Sequence, residues 1–229
     1  MLYKTQGIVL NYIKYRETSI IVRIYTESFG LTSYIVNGVR SKKARHKIAF
    51  FQPLTLLDMV VYHKKNTQLN RVSELKCLEP LMHLPTDIKK SSMAIFITEI
   101  LIKSLKGEEE NQALFHFLHQ SILILENMPD NFQNFHLQFL LKLCGFLGFA
   151  PASAHEISTQ LAAAGAKASI SDEEENVIDL FIKEGYDNKI KINNRFRRAI
   201  LYHVLAFYKI HIESFGEVKS MTILNEVLN

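Results

Sequence analysis

The chain has 229 residues, 48% of them hydrophobic, and a formal charge of +4, enough apolar material for one large core or two modest ones. No apolar stretch reaches spanning length uninterrupted by charge, and Met1-Leu2-Tyr3-Lys4-Thr5-Gln6-Gly7 is neither a secretory leader nor an Arg/Ser-rich transit peptide, so a membrane protein is not expected and the cytoplasm is the predicted compartment. Cys77 and Cys144 are the only cysteines, each in an apolar setting, which argues for two buried thiols against a disulfide framework or redox pair.

The small net charge conceals a division. Residues 1–80 carry 13 Lys+Arg against 5 Asp+Glu, whereas residues 81–229 carry 14 against 18. A basic first half suggests a polyanionic partner for that half, most often nucleic acid.

The first eighty residues read as strands. Tyr3–Ile13 is expected to set Ile8, Leu10 and Tyr12 on one face. In Thr18–Thr26 period two puts Ile20, Val22 and Ile24 on one side and Ser19, Ile21, Arg23 and Tyr25 on the other. The turn at Glu27-Ser28-Phe29-Gly30 leads to a third strand over Leu31–Asn37, completing an antiparallel meander. Next comes Gly38-Val39-Arg40-Ser41-Lys42-Lys43-Ala44-Arg45-His46-Lys47, a decapeptide with five positive charges and no negative one. It is read as a basic loop joining two strands. Leu54–His63 is the fourth, burying Leu57, Met59 and Val61 with Asp58 and Tyr62 outward, and Gln68–Cys77 the fifth. Five strands with a long third connection predict a small Greek-key OB barrel.

Beyond Pro85 the period becomes helical. One helix starts at Thr86-Asp87, runs through Ile95, Phe96, Ile100, Leu101 and Leu105, and stops at Gly107; a second is opened by Glu108-Glu109-Glu110. A third follows Pro129-Asp130 and ends at Phe149-Ala150-Pro151. Residues 152–171, rich in Ala and Ser, are read as irregular. Ser171-Asp172-Glu173-Glu174 has capping-box spacing, Asn194 is read as the cap of a helix over Arg195–Glu213, and a short last helix covers Lys219–Leu228. The predicted class is α+β: a five-stranded OB-fold β-barrel at residues 1–80 followed by an all-helical domain at 81–229.

Candidate polyanion contacts are Arg40, Lys42, Lys43, Arg45 and Lys47 in the basic stretch, joined by Arg16, Arg23, Lys64, Lys65 and Arg71 on turns and outward strand positions. OB barrels bind single strands by combining such charges with aromatic platforms, and Tyr25 and Tyr62 are the candidates for stacking. Arg195, Arg197 and Arg198 stand in the first turn of a helix, where the macrodipole disfavours positive charge by about 0.3–1 kcal/mol each. Either an anionic partner or internal pairs with residues 172–175 or Glu184 would offset this. His116-x-x-His119, His203 and His211 lack a convergent further ligand and any Cys-x-x-Cys, so no metal or cofactor is expected. No phosphate-loop, zincin or nucleophile-elbow motif is present, which makes an enzyme the weaker class.

Several stretches carry a resemblance: Thr5-Gln6-Gly7-Ile8-Val9-Leu10, Tyr15-x-Glu17, Tyr25-Thr26-Glu27-x-x-Gly30, Gly38-Val39-Arg40 with Lys43, and Phe51-Gln52-Pro53-Leu54. Leu69-x-Arg71-x-x-Glu74, Leu147-Gly148-Phe149-x-Pro151 and Lys219-Ser220 before Leu224 continue it. In this order they resemble the RecO family of bacterial recombination mediators. The resemblance implies a non-enzymatic protein, associated with the nucleoid, that binds single- and double-stranded DNA and anneals complementary strands. It further implies that, with RecR, such a protein helps load RecA onto DNA coated by single-strand-binding protein, whose acidic, Phe-terminated C-terminal tail it binds. The basic residues above would be the DNA contacts, the helical domain would hold the tail, and Arg195, Arg197 and Arg198 are the candidate receivers. Many members carry a four-cysteine zinc module after the Gly-Phe-x-Pro segment; residues 152–171 contain no cysteine, so no zinc site is carried over. The alternatives are a protein-interaction adaptor without direct DNA affinity, and a nucleic-acid-processing enzyme.

Overall fold

The computed structural model describes residues 1–64, 67–105, 107, 109–166, 169–187 and 189–228, without the side chains of residues 42–46. The chain divides into two compact units, Met1–Glu126 and Asn127–Asn229.

The first unit is built on a closed five-stranded barrel. Its strands are β1 (Leu2–Tyr15), β2 (Ser19–Thr26), β3 (Gly30–Val36), β4 (Leu56–Tyr62) and β5 (Asn70–Glu79), in the cyclic order β1-β2-β3-β5-β4. All neighbours are antiparallel except β3 and β5, whose parallel contact is only Tyr34↔Asn70 and Ile35↔Arg71. This is the expected OB barrel. Its interior holds Val9, Ile20, Val22, Ile24, Tyr34, Val36, Leu57, Met59 and Val61, matching the period-two reading of β2 and β4.

The inward face of β1 differs from expectation. A bulge between Val9 and Asn11 shifts the register, so Val9 and Tyr12 face the interior cluster while Ile8 and Leu10 are buried outside it. Three successive apolar residues suited both faces of β1, because α1 (Ile88–Ser104) packs against this strand, and a bulge re-aims alternate side chains. At the bulge Val9 turns to the connection before β4, its N–H donating to Thr55 O (3.0 Å) and its carbonyl accepting from Leu54 N–H (2.8 Å).

Two glycines of the resembling motifs have steric reasons. A Cβ on Gly7 would lie 2.6 Å from both Ile24 Cγ2 and Met59 Cε inside the barrel. Gly30 sits at φ +60°, and a Cβ there would lie 2.4 Å from the backbone carbonyl oxygen of Glu109. The turn after β2 therefore admits a close backbone approach from the connection after α1 that no side chain could share.

The helix expected to start at Thr86-Asp87 has Asp87 as its cap, accepting from the Lys89 and Lys90 N–H groups. Of the apolar residues along it, Phe96, Ile100 and Leu101 are buried while Ile95 is 46% exposed. The second helix, α2 (Gln112–Asn127), begins after the acidic run: Asn111 Oδ1 accepts the Leu114 N–H at 2.9 Å. Near its end Glu126 is 6% exposed. Its carboxylate accepts from the N–H groups of Met82 (2.7 Å), His83 (2.8 Å) and Leu84 (2.7 Å), while Lys90 Nζ donates to its backbone oxygen (2.8 Å). Burial opposes its charge, but these N–H bonds and the His83 side chain outweigh that and hold the carboxyl below its usual range.

The second unit contains α3 (Phe135–Phe146), α4 (Ala154–Ala163), α5 (Asp172–Lys183), α6 (Asn194–His211) and α7 (Ser220–Val227). The capping box at Ser171 and Glu174 is present. The irregular reading of residues 152–171 is overturned by α4, whose buried Ala154, Ile157 and Leu161 fall at helical spacing. Its many small residues diluted the apolar period, although Ser153 and Glu156 already had capping spacing, and the Ser153 side chain accepts the Glu156 N–H. The cap of α6 is Asn193 and not Asn194. Cys144 is buried as expected, whereas Cys77 is only half-buried.

Candidate nucleic-acid interface

The basic stretch is not an open loop. Gly38 (φ +74°) starts a turn in which Ser41 Oγ donates to Gly38 O at 2.8 Å, and Lys42–Phe51 forms a 3-10 segment. Val39 and Phe51 are buried in the barrel's interior cluster, with Ile48 and Phe50 packed against it. The segment thus closes part of the barrel with its apolar residues. This explains how so many charges occupy a connection that is nevertheless built into the core.

Arg40 ties this segment to the β1–β2 turn. Its N–H donates to Thr18 O (3.0 Å) and its Nη1 to Arg16 O (3.2 Å). Arg16 is the turn residue, at φ +50°, with its guanidinium 5.2 Å from the centroid of the Tyr15 ring. Two cations from distant points in sequence therefore sit in adjacent, hydrogen-bonded turns.

Lys47 and Arg71 line a groove of about 520 Å³ at the short β3–β5 seam, together with Asn37, Phe50, Ser73 and Glu74. Arg71 lies opposite Tyr62 on β4 and Ile35 on β3. Tyr62 is 49% exposed, so a cation and an aromatic ring share one outer face. Arg23 is exposed on β2, opposite Asn11 and Ser33. Lys64 is exposed just beyond β4, its backbone N–H donating to Asn70 Oδ1 at 2.9 Å. Lys65, and the side chains of Lys42, Lys43 and Arg45, lie outside the described residues. Phe50 was missed by sequence reasoning; the pair Phe50-Phe51 could have signalled it, since one ring fills the core and its neighbour faces the groove.

Two predicted contacts need correction. Tyr25 is 3% exposed and stacks on Phe115 of α2, with centroids 6.4 Å apart. Burial pushes its hydroxyl up to about 12, and no base can reach the ring. Its outward direction on β2 was read correctly, but α2 covers that face. Arg197 is 8% exposed and donates to Asn134 Oδ1 (3.0 Å), Ile192 O (3.2 Å) and Asn194 Oδ1. It is a structural tie whose partners are neutral oxygens, not the acidic residues considered above, and it cannot receive a peptide carboxylate. Arg195 and Arg198 are exposed, Arg198 Nη2 donating to Asn225 O at 3.1 Å.

The histidines are spread among separate contacts. His119 Nε2 lies 3.1 Å from Glu79 Oε1, His203 Nε2 lies 3.7 Å from Glu174 Oε2, and His211 Nε2 lies 2.8 Å from Gln160 Oε1. Among the described residues no group of three potential ligands is placed to hold a metal ion, and no helix is long and apolar enough to cross a membrane.

A closed barrel of this strand order defines an OB-fold protein, and here Lys47 and Arg71 share one groove with Glu74 at the β3–β5 seam. Residues 1–81 match the family described as Recombination protein O N terminal, and residues 85–221 match Recombination protein O C terminal. The DNA repair protein RecO of Flavobacterium psychrophilum is 36% identical over 239 residues, covering 100% of both chains. Those of Flavobacterium johnsoniae and Bacteroides fragilis are each 35% identical, again over 100% of both chains. The chain belongs to the RecO family.

Proposed function

We propose that this protein is a DNA repair and recombination mediator with no chemistry of its own. It binds single- and double-stranded DNA through the barrel, residues 1–80, and anneals complementary strands. With RecR it helps load RecA onto DNA coated by single-strand-binding protein, in association with the nucleoid. The observation that carries this reading is the convergence of Lys47 and Arg71 on one groove and of Arg16 and Arg40 on adjoining turns. Cations so placed displace counterions condensed on phosphate. Neutralising two backbones at once also removes the repulsion that keeps complementary strands apart. The acidic tail of single-strand-binding protein is assigned to the helical unit. With Arg197 buried, a cleft of about 590 Å³ lined by Tyr202, Leu205, Val218, Met221, Lys209 and Lys219, with one carboxylate from Glu217, is better suited to it than the arginine trio, because it combines an apolar lining with two ammonium groups.

The test is a strand-annealing assay with two complementary labelled oligonucleotides. Added protein is expected to accelerate pairing at least about tenfold over the spontaneous rate, as electrostatically assisted association allows. A spontaneous rate unchanged by saturating protein would contradict the reading.

A further inference from the structure

We propose that the groove at the β3–β5 seam takes one unpaired base of a single strand, with Phe50 as its stacking face. This rests on the reading of the barrel as a DNA-binding surface and adds which form of DNA the groove distinguishes. Phe50 packs on the barrel's interior cluster yet also lines the groove, so its ring is held from behind and open in front. Such a ring loses little freedom when a base stacks on it.

The secondary structure sets a charge beside it. In a 3-10 segment residues three apart eclipse one another, and Lys47 precedes Phe50 by three within Lys42–Phe51, which puts ammonium and ring on one edge. Arg71 supplies a second cation to the same groove, and Glu74 adds one carboxylate. A phosphate is drawn to Lys47 and Arg71 and repelled by Glu74, so the backbone follows the cationic rim and the base turns inward over apolar Val72 and Leu75. In a duplex the bases are stacked and paired away from the surface and cannot enter. Phosphate contacts serve both forms of DNA, whereas Phe50 serves only the unpaired one.

The experiment compares the full-length protein with its Phe50→Leu and Phe50→Tyr variants. It measures affinity for a single-stranded oligonucleotide and for the duplex of the same sequence at one salt concentration. Phe50→Leu keeps an apolar side chain against the core but removes the π face; it is expected to weaken single-strand binding about tenfold and leave duplex binding within about twofold. Phe50→Tyr restores single-strand affinity. A 2-aminopurine in the single strand is expected to change fluorescence on binding wild type and Phe50→Tyr, and much less with Phe50→Leu. If wild type binds neither form of DNA, the function proposed above fails and takes this inference with it. If wild type binds and Phe50→Leu leaves the single-strand to duplex ratio unchanged, the groove assignment alone is overturned.

Discussion

Replacing Arg40, Lys47 and Arg71 together with glutamine is expected to lower affinity for single-stranded DNA about a hundredfold at about 0.1 M salt, with the fold intact. The magnitude follows from counterion release. Each neutralised phosphate contributes about −0.7 to the slope of log affinity against log salt for single strands, so at about 0.1 M each contact is worth about fivefold, and three multiply to about a hundred. Glutamine removes the charge while keeping a polar N–H donor on a shorter side chain. The turn contact made by the backbone N–H of residue 40 to Thr18 O is untouched, and only the exposed side-chain bond to Arg16 O is given up. Fluorescence anisotropy with a labelled oligonucleotide measures the loss, and circular dichroism checks the fold. Loss of less than threefold in a folded variant would remove these residues from the interface.

The second large effect concerns stability. Glu126 gathers the N–H groups of Met82, His83 and Leu84 on one buried carboxylate, fixing the chain between the barrel and α1. Glu126→Ala leaves those three donors without their acceptor, while the backbone oxygen that receives Lys90 Nζ remains, and is expected to cost about 3 kcal/mol in urea unfolding at pH 7, since hydrogen bonds to charged groups contribute about 1.5–3 kcal/mol each and do not simply add. The pH dependence has a definite sign. The folded carboxyl is held below its usual range, so its contribution is fully present above the ordinary glutamate value of about 4.3 and is lost as pH falls through the lower folded value. The gap between wild type and variant should therefore be widest at neutral pH and narrow under acid. A gap that widened as pH fell would contradict this account of Glu126.

Most of the barrel was legible because β2 and β4 alternate cleanly, with Ile20, Val22 and Ile24 and Leu57, Met59 and Val61 turned to the interior. β1 was legible as a strand but not in its facing, since Ile8-Val9-Leu10 is apolar on both sides and only the bulge decides which residue enters the interior. The basic decapeptide announced its charge. Its 3-10 form and its role in closing the barrel depend on Val39, Ile48 and Phe51 finding the interior, which no local pattern reveals.

Tyr25 and Arg197 show what sequence reasoning lacks. Each was placed on a plausible side of its element, but what covers that side comes from far along the chain: Phe115 for Tyr25, Asn134 for Arg197. The cost of positive charge at the start of α6 predicted that something offsets it. For Arg197 that something is a set of neutral amide and carbonyl oxygens, which leave no mark in a charge count. Arg71 and Lys47 present the converse case, since 23 residues separate them and only the β3–β5 seam brings them to one groove.

The central claim is that the barrel holds DNA by neutralising its phosphates. It is tested most directly by measuring wild-type affinity for a single-stranded oligonucleotide from about 50 to 300 mM salt. If about five phosphates are neutralised, log affinity falls linearly with log salt at a slope of about −3.5. A slope near zero, or no binding at low salt, would contradict it.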